Sequence, residues 1–372
     1  MKIGFDARFI TKQKRGIGKY SFNLLSNLLR IDNKNKYILY LEKSSDRSCL
    51  PANGELELRN IGNGHSTLWE QYFLPQQIKR DKLDLFHSPG NIPPILCKTK
   101  RVVTLHDTIM FQPEMSRGSG WYDFYLRKAL SYSIGRVNRI ITISNNSKKD
   151  IIKLFPRVEQ KVEVIYEGVE ERFEPLRDEG KMEPILKRYG VNKPFILHFG
   201  SNDPRKNTLK VIKVYHRLAK EQNIPHQLVL LGFRQEKKTP IDFYLKKNDL
   251  TERVISISFL SENDLPNFYQ GANFLLYPSL YEGFGFPPLE AMACGTPVIV
   301  SNVSSIPEIV GEAAILVNPI DESEMYKACT EVLDNRNKRR ELIRKGFKRV
   351  KDFSWEKTAS LTLEVYEEVG RE

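Results

Sequence analysis

The feature that most constrains this chain is a repeated order of apolar strand, loop and helix, which starts again in the middle of the sequence. Strands joined through helices run in parallel, because each crossover returns the chain to the same end of the sheet. In the first half the pattern predicts strands at residues 2–6, 37–41, 85–88, 101–106, 139–143 and 162–165, with helices at 18–31 and 121–136. In the second half it predicts strands at residues 195–199, 227–231, 254–259, 274–277, 297–301 and 314–317.

The break between the two runs lies at residues 170–184, a polar, proline-bearing and charge-dense stretch that is typical of a linker. At 372 residues the chain is also too long for one ordinary hydrophobic core and suits two domains. We therefore predict an α/β protein with domains at residues 1–174 and 175–353. A helix predicted at residues 355–369 lies in a C-terminal segment, 354–372, that is expected to cross back to the first domain.

The composition excludes several classes of protein. Hydrophobic residues make up 40% and charged residues 28% of the chain, which is typical of a folded globular protein. No stretch approaches the roughly 18 consecutive apolar residues of a membrane-spanning helix. The start, MKIGFDARF, lacks the apolar core of a signal peptide, so a cytoplasmic location is expected. Wide spacing predicts buried thiols and no zinc site for the four cysteines, Cys49, Cys97, Cys294 and Cys329.

The net charge of +12 is compatible with three kinds of partner: nucleic acid, an anionic membrane or phosphorylated substrates. Most basic residues are scattered over helices beside acidic ones, as on a solvated surface. They are not interleaved with aromatic residues and form no nucleic-acid-reading module, which makes nucleic acid the weakest of the three. One group differs, because Lys12, Lys14, Arg15 and Lys19 bracket a glycine-rich turn after the first strand.

The segment YEGFGFPPLEAMACGTPV, residues 281–298, carries the most specific chemistry. Glu282 precedes a glycine-rich turn, and two prolines then start a helix that carries Glu290. The amides of such a turn and helix start can bind an anion, and a glutamate in the first helical turn suits the helix dipole. The two carboxylates can also accept hydrogen bonds from paired sugar or ribose hydroxyls. The alternative is an ordinary charged residue at each position.

A second loop, GSNDPRKN at residues 200–207, follows a predicted buried strand and opens a helix. Open α/β sheets bind their ligands just past the carboxyl ends of the strands. In this loop Arg205 can hold a phosphate through two parallel hydrogen bonds, and Lys206 can add a point charge. The alternative is a basic surface loop.

Two further segments follow strands of the first domain. The segment RGIG, residues 15–18, lacks the spacing of a dinucleotide-binding motif, although Gly16 and Gly18 would let the backbone approach a pyrophosphate closely. In LHDT, residues 105–108, His106 could contact substrate or make a structural hydrogen bond, and His87 has the same ambiguity with less support. No Asp-x-Asp pair is present to hold a divalent metal, so cations and helix ends are expected to replace it.

Together these segments resemble glycosyltransferase family 4, a large group of retaining enzymes with the GT-B fold. EGFGFPPLEAMACGTPVI is similar to the family's signature of two glutamates separated by seven residues. RGIGKY, LHDT, ITISNNSKKD, YEGV and GSNDPRKN precede it in the family's order, so the resemblance covers nearly the whole chain. It implies two Rossmann-like β/α/β domains facing across a cleft, with the acceptor bound by the N-terminal domain and the nucleotide-sugar donor by the C-terminal domain.

The resemblance also implies a role for each candidate residue. Glu290 would hold the ribose hydroxyls, and Glu282 would hold the donor sugar near its 3- and 4-hydroxyls. The implied catalytic residues are Glu282, His106, Arg205 and Lys206. The implied donor- and nucleotide-binding residues are Gly16, Gly18, Arg205, Lys206, Phe259, Leu260, Glu282, Gly283, Phe284, Gly285, Phe286, Leu289 and Glu290. Many relatives have an arginine where Ser201 stands here, which leaves more of the phosphate binding to Arg205 and Lys206.

The expected reaction is a retaining, metal-independent transfer of a hexose from a nucleotide diphosphate sugar, with UDP-glucose favoured and GDP-mannose next. By the resemblance Glu282 faces sugar hydroxyls and not the reacting carbon. This favours front-face transfer, in which a leaving phosphate oxygen takes the acceptor's proton. No cofactor is expected. The alternatives are a nucleotide-sugar epimerase of the same architecture and a non-catalytic nucleotide-sugar-binding subunit.

The expected acceptor is a saccharide or a lipid-linked saccharide in polysaccharide or surface-glycan synthesis, since the family often works there. Loops of the N-terminal domain, such as residues 91–96 and 115–121, would select it. Basic and aromatic residues at 120–128 predict peripheral contact with the anionic inner face of the cytoplasmic membrane. An ordinary surface helix is the alternative for that segment.

Overall fold

The computed structural model describes residues 1–12, 16–51, 56–62, 66–112, 121–176 and 178–372. Lys14, Arg15 and most of the predicted acceptor loop at 115–121 lie outside the described residues. The chain forms two compact units, Met1–Gly168 with Phe353–Glu372, and Val169–Asp352. Their boundaries fall at 168/169 and 352/353, where the sequence pattern placed them at 174/175 and 353/354.

The first unit is a parallel sheet covered by helices. Its described strands are β1 Lys2–Asp6, β2 Lys36–Glu42, β3 Leu56–Ile61, β4 Leu85–Ser88, β5 Lys100–Thr104, β6 Arg139–Thr142 and β7 Val162–Val164. Its described α-helices are α1 Ile17–Ile31, α2 Ser66–Leu68, α3 Leu74–Asp81, α4 Trp121–Ser133 and α5 Asn145–Leu154, followed at the end of the chain by the last helix, Trp355–Arg371. A π-helical segment, Trp69–Phe73, joins α2 to α3.

The strands of the first unit pair in the order β3-β2-β1-β4-β5-β6-β7, and each pair is parallel. The chain adds strands to one side of β1 and then, from β4, to the other, so the switch point lies between β1 and β4. The last helix packs on α1, where Leu24 and Leu28 are fully buried, and it buries its own Val365 and Val369. The C-terminal segment therefore completes the core of the first unit.

The second unit repeats this arrangement with a smaller sheet. Its described strands are β8 Phe195–Phe199, β9 Gln227–Leu231, β10 Val254–Ile257, β11 Phe274–Tyr277, β12 Val298–Ser301 and β13 Ile315–Val317. Its described helices are α6 Glu179–Arg188, α7 Thr208–Glu221, α8 Pro240–Lys247, α9 Leu265–Gly271, α10 Phe286–Ala293, α11 Ile306–Val310, α12 Glu322–Asp334 and α13 Arg336–Val350. The last helix of the chain is α14.

The second sheet has the parallel order β10-β9-β8-β11-β12-β13, which places its switch point between β8 and β11. Helix α7 covers it with Val211, Tyr215 and Leu218, all buried and spaced by four and three residues as one helical face requires. Ligands of open parallel sheets bind outside the carboxyl ends of the strands at such a switch point. The fold thus marks the loops after β8 and β11 as candidates for a site.

The linker prediction for residues 170–184 is wrong from residue 179 onward, because α6 begins there. The Asp178 side chain accepts a hydrogen bond from Gly180 N at 2.9 Å and caps this helix. Met182 and Leu186 bury one face of it. Capping and burial outweigh the single backbone hydrogen bond that Pro184 removes inside the helix.

Two other sequence predictions can be compared with the structure. The four cysteines are free and buried, as the sequence predicted. No helix in the described part of the chain has both the length and the apolar character needed to cross a membrane.

Candidate active site

Two loops meet at the carboxyl edge of the second sheet. Strand β8 ends at Phe199 and β11 ends at Tyr277, and the two strands are neighbours at the switch point. The loop after β8 carries Arg205, and the loop after β11 carries Glu282. Leu280 N donates a hydrogen bond to Arg205 O at 2.8 Å, which ties one loop to the other. The two sequence segments that predict donor chemistry are therefore adjacent in the folded unit.

The Glu282 carboxylate accepts three hydrogen bonds at one oxygen. Lys206 Nζ donates to Glu282 Oε1 at 2.7 Å, and the hydroxyls of Tyr277 and Ser279 each donate to it at 2.6 Å. Lys206 Nζ also donates to the Tyr277 hydroxyl at 2.8 Å. The side chains of Lys206 and Glu282 are only 22% and 14% exposed, so the ion pair is largely shielded from water. The cation predicted for phosphate and the carboxylate predicted for sugar thus form one cluster.

Two opposing effects set the pKa of Glu282. Burial raises it, but the charge and hydrogen bond of Lys206 and the hydroxyls of Ser279 and Tyr277 together bring the pKa below its usual value. Burial and then the Glu282 charge raise the pKa of Tyr277 well above its usual value. At neutral pH the cluster therefore presents an ionised carboxylate and a protonated phenol. An ionised carboxylate is a strong acceptor for sugar hydroxyls.

Arg205 is oriented by an acidic neighbour in its own loop. Arg205 Nε and Nη2 donate to Asp203 Oδ2 at 3.1 and 2.8 Å, and Arg205 N donates to Asp203 Oδ1 at 3.1 Å. Asp203 is buried, while 23% of the Arg205 side chain is exposed. The adjacent Asn207 has a left-handed φ of 58°, and its side-chain amide donates to Pro319 O at 2.6 Å. The bonds to Asp203 preset the direction of the Arg205 guanidinium before any anion is bound.

The glycine-rich turn at residues 283–286 is braced from the loop after β12. Glu282 N donates to Ser304 Oγ at 3.1 Å, and the Ser305 hydroxyl lies 2.6 Å from the Phe284 carbonyl oxygen. Gly285 caps α10 with a φ of 136°, which side-chain-bearing residues rarely adopt, and a Cβ there would lie 2.9 Å from Ile306. The turn therefore has one conformation that only glycine at position 285 allows.

Glu290 lies in the second turn of α10 and not in the first, as the sequence reasoning supposed. The helix begins at Phe286, two prolines occupy the rest of its first turn, and that turn holds no acidic residue. A glutamate at the fifth helical position does not neutralise the helix N-terminus, so the dipole argument for Glu290 does not apply. Leu289, also predicted at the nucleotide, is fully buried.

A buried tyrosine orients the Glu290 carboxylate. The Tyr269 hydroxyl donates to Glu290 Oε2 at 2.6 Å, and both residues are at most 3% exposed. The Tyr269 ring stacks on Phe199 with 5.6 Å between ring centroids and 25° between ring planes. Burial and the Glu290 charge raise the pKa of this phenol well above its usual value, which keeps it a donor. The Tyr269 hydroxyl therefore fixes the orientation of the Glu290 carboxylate, which is the group predicted to bind the ribose.

The residues predicted to lie near the base follow β10, which ends at Ile257 and not at Phe259 as predicted. Because the strand ends earlier, the Phe259 side chain is 58% exposed, and Leu260 is half-buried beside it. An exposed aromatic ring two residues past the end of a strand offers a stacking surface for a planar base.

The first unit contributes its own set of predicted residues. Gly16 precedes α1 with a φ of 49°, and among the described residues no atom lies within 4 Å of the position that a Cβ would take there. A Cβ at Gly18, by contrast, would lie 2.4 Å from Phe9 O, so close backbone packing requires a glycine at 18.

His106 is buried: its Nε2 lies 2.8 Å from Pro89 O, and its Nδ1 lies 3.6 Å from Glu167 Oε1.

His87 is a core residue and not a substrate contact. It is fully buried, and its ring nitrogens hydrogen-bond to the hydroxyls of Tyr366 and Thr104. The Tyr20 hydroxyl lies 2.9 Å from the same Thr104 oxygen. Burial lowers the pKa of His87 to about 3, so the ring is neutral at neutral pH. The sequence left open whether His87 contacts substrate or makes structural hydrogen bonds, and the structure shows structural hydrogen bonds.

Sequence reasoning missed several side chains that hold the site together. They are Tyr269, Tyr277, Ser279, Ser304 and Ser305, all in the second unit. In the first unit, sequence reasoning also missed Glu167, which lies beside His106. Tyr277 and Ser279 stand at the end of a predicted strand, which is the one signal that could have identified them. Across the described ranges, no group of three or more His, Cys, Asp or Glu side chains is arranged to hold a metal ion.

Comparison with known families covers most of the chain. Residues 184–349 match the model described as glycosyl transferases group 1, and residues 43–173 match the model described as glycosyltransferase family 4. The chain is 28% identical over 382 aligned positions to the O-antigen chain mannosyltransferase B of Escherichia coli, with 98% of this chain and 99% of that protein covered. It is 31% identical to the MMP alpha-(1->4)-mannosyltransferase of Mycolicibacterium hassiacum, over 66% of this chain and 57% of that protein.

Among solved structures, the sucrose-phosphate synthase of Thermosynechococcus elongatus superposes with a TM-score of 0.76 over 99% of both chains. The sequence identity is 19%, so this likeness shows the fold alone. The fold that it shows agrees with the two Rossmann-like units described above and is the GT-B fold.

Proposed function

Since the chain belongs to the group 1 glycosyltransferases of family 4, we propose that it transfers mannose from GDP-mannose to a growing saccharide with retention of configuration. The chain is a glycosyltransferase of glycan biosynthesis; the proposal concerns its donor, its acceptor and its stereochemistry. The single observation that carries the proposal is the cluster in which Lys206, Tyr277 and Ser279 hold the Glu282 carboxylate at the switch point.

The proposed donor differs from the one that the sequence alone favoured. UDP-glucose came first in that reasoning and GDP-mannose second. Both curated relatives compared above are mannosyltransferases, one of them aligned over nearly its full length, and this supports mannose as the sugar. The same relative is named for O-antigen chains, which supports a saccharide of a surface glycan as the acceptor.

The proposed roles in the second unit follow from the contacts. Glu282 Oε1 is saturated by three donors, so its Oε2 would accept the mannose hydroxyls. Lys206 would neutralise the diphosphate, since an ammonium has three N–H groups and two of them are used within the cluster. Arg205, directed by Asp203, would share that charge. Glu290, directed by Tyr269, would accept the ribose hydroxyls.

Front-face transfer is the mechanism that this cluster supports best. A carboxylate that receives three hydrogen bonds and has a lowered pKa is a weak nucleophile. The leaving diphosphate develops negative charge, which fixed cations stabilise; loss of one such donor typically costs about 3–4 kcal/mol of transition-state stabilisation. The departing phosphate oxygen would then remove the acceptor's proton on the same face. The α linkage in the name of the second relative supports retention, because GDP-mannose itself is α-linked.

The proposal is tested by calorimetry with GDP, UDP and ADP in the presence of EDTA. We expect GDP to bind best and to lose its affinity in the Glu290→Ala and Lys206→Ala variants. Glu331→Ala, an exposed glutamate on α12, is the matched control and should bind GDP as the wild type does. Preferred binding of UDP would redirect the proposal to UDP-glucose. A requirement for added Mg²⁺ would contradict metal independence.

We also propose peripheral contact with an anionic membrane through α4. Phe124 and Tyr132 are 46% and 54% exposed on this helix, and each is paired with a cation four residues on. Lys128 Nζ lies 5.6 Å from the Phe124 ring centroid, and the Arg136 guanidinium carbon lies 3.7 Å from that of Tyr132. Exposed rings beside cations suit the interface between lipid headgroups and acyl chains.

A further inference from the structure

Asn207 directly follows Lys206 at the start of α7, and the proposed reaction assigns it no role. The residue is buried, with 8% of its surface exposed. Its side-chain amide nitrogen donates two hydrogen bonds, to Pro278 O at 3.2 Å and to Pro319 O at 2.6 Å. Pro278 lies in the loop after β11, and Pro319 lies in the loop after β13. One amide therefore joins three loops at the carboxyl edge of the second sheet.

The two usual reasons for an asparagine at a helix start do not explain Asn207. An asparagine before a helix commonly accepts a hydrogen bond from the first helical turn, but in the described structure its side chain makes no such capping bond. Its φ of 58° and ψ of 25° are left-handed, which asparagine tolerates and glycine adopts with less strain. Glycine would therefore meet the backbone requirement equally well. It would not supply the amide that reaches Pro278 and Pro319.

The bond to Pro278 reaches the residues that hold the Glu282 carboxylate. Pro278 stands between the two hydroxyl-bearing residues that donate to Glu282 Oε1, each at 2.6 Å. The third donor, Lys206 Nζ at 2.7 Å, belongs to the residue directly before Asn207. The Asn207 amide thus links the backbone next to one donor with the backbone between the other two. We therefore expect the separation between Lys206 and Glu282 to depend on this link.

Lys206 is fixed on both sides by the loop after β11. Before it, Arg205 O accepts hydrogen bonds from Leu280 N at 2.8 Å and from the Ser279 hydroxyl at 3.0 Å. After it, the Asn207 amide donates to the same loop. A lysine side chain is long and flexible, so a backbone that is fixed on both sides narrows the region that its ammonium can reach.

We propose that Asn207 is a positioning residue that holds the Lys206 ammonium where it meets the diphosphate of the donor. This inference rests on the proposed function, in which Lys206 neutralises that diphosphate. Asn207 itself touches no substrate. It acts through the backbone of its own loop and through its hydrogen bond to the loop after β11.

A second contact between α7 and the loop after β13 provides the matched control. Lys210 Nζ donates to Ile320 O at 3.1 Å, one residue past the Pro319 carbonyl that Asn207 contacts. Lys210→Met removes this anchor of α7 and leaves the bonds of Asn207 in place. A loss of binding that came from looser anchoring of α7 would therefore appear in Lys210→Met as well.

The test measures binding of GDP and of guanosine by calorimetry. Asn207→Gly keeps the left-handed backbone and removes both donated bonds, so the Kd for GDP should rise about 3- to 10-fold, within the range for residues of one hydrogen-bond network. The Kd for guanosine, which has no phosphate for Lys206 to meet, should change by less than about a factor of two. Lys210→Met should keep both wild-type values. Wild-type GDP binding in Asn207→Gly, or an equal loss for guanosine, would overturn the proposal.

The double variant tests whether Asn207 acts through Lys206. In a Lys206→Met background, Asn207→Gly should raise the Kd for GDP by no more than a further factor of about two, since no ammonium is left to position. An equal loss in both backgrounds would overturn the proposal. Thermal unfolding of every variant is recorded alongside, so that binding is compared at a temperature at which each variant is folded.

A second readout does not depend on nucleotide binding. An ammonium that is hydrogen-bonded to a carboxylate is a poor nucleophile, so an N-hydroxysuccinimide ester should acylate Lys206 slowly in the wild type and in Lys210→Met. The rate, followed by mass spectrometry, should rise at least about twofold in Asn207→Gly. An unchanged rate in Asn207→Gly would overturn the proposal.

The two readouts separate this inference from the proposed function. If the wild type binds UDP in preference to GDP, UDP and uridine replace GDP and guanosine in the same comparison. If the wild type binds none of the nucleotides, the proposed function fails, while the acylation rate still decides whether Asn207 positions Lys206.

Discussion

Lys206 Nζ lies 2.7 Å from Glu282 Oε1, so the cation proposed for the diphosphate and the carboxylate proposed for the sugar are one hydrogen-bonded pair. The pair joins two loops that are 76 residues apart in the sequence and adjacent at the switch point of the second sheet. The phenol of Tyr277 donates to the same carboxylate oxygen and accepts from the same ammonium. Changes at any of the three should therefore affect both halves of donor binding.

The first prediction concerns this pair. Lys206→Met should weaken GDP binding at least about tenfold, because it removes a charge-assisted contact worth about 1.5–3 kcal/mol. It should also lower the free energy of unfolding, since Glu282 is left without its counter-charge. Lys213→Met, on the partly exposed face of α7, is the control and should change neither. Adding Glu282→Gln to Lys206→Met should recover stability but not GDP binding; recovery of neither would contradict the pairing.

The second prediction concerns Tyr269, whose hydroxyl orients Glu290. Tyr269→Phe removes a hydrogen bond to a charged group, so GDP affinity should fall by about 1.5–3 kcal/mol. The wild type should bind GDP more tightly than 2′,3′-dideoxy-GDP, and the ratio of the two affinities should shrink in the variant. Tyr244→Phe, which loses a hydrogen bond to the ring of His216, should keep the wild-type ratio. A ratio that is the same in Tyr269→Phe would show that this tyrosine does not orient a ribose contact.

The third prediction concerns pH. His198 is fully buried beside the loop after β8, and burial lowers its pKa from 6.5 to about 4. A base with a lowered folded-state pKa contributes stability that is present above pH 6.5 and is lost as the pH falls toward 4, because the unfolded chain takes up the proton first. His198→Asn should therefore flatten the dependence of unfolding free energy on pH between about 6 and 4. The change in slope should reach about 1.4 kcal/mol per pH unit, and urea denaturation at several pH values measures it.

The fourth prediction concerns α4. The protein should cosediment with vesicles that contain phosphatidylglycerol and not with vesicles of phosphatidylcholine alone, and salt should weaken the association. A Lys128→Glu and Arg136→Glu double variant should lose it. Lys327→Glu, an exposed lysine on α12 of the second unit, should not. Equal sedimentation of the wild type and the double variant would exclude α4 as the contact.

Much of the fold was predictable because its central strands are rich in apolar residues and are separated by polar loops and helices. Strands β1, β4, β8, β9 and β11 have the boundaries that the sequence predicted. A parallel strand that is covered on both faces is mostly apolar along its length, so it stands out in the sequence even where a polar residue such as Lys2 or His87 belongs to it. The missed strand was β3, LELRNI, which lies at the edge of the sheet and contains as many polar as apolar residues. From the sequence alone, such a segment is predicted as a loop, because its strand character depends on pairing with β2.

The candidate site was less predictable, for a physical reason. Glycines, prolines and charged residues in a loop carry a local signal, so the sequence could propose Glu282, Lys206 and Gly285 as site residues. Tyr269 and Glu167 carry none, because a buried tyrosine resembles a core residue and the partner of each lies in a distant part of the chain. Long-range pairing of polar side chains depends on sheet order. Spacing along the chain does not encode it.

The most direct test of the account follows hydrolysis of GDP-mannose by proton NMR in the presence of EDTA. We expect the released mannose to appear first as the α-anomer and to equilibrate later with the β-anomer. Both the turnover and the order should be kept in Glu331→Ala, and the turnover should be lost in Lys206→Met. First appearance of β-mannose would contradict retention. Turnover of UDP-glucose with none of GDP-mannose would contradict the proposed donor.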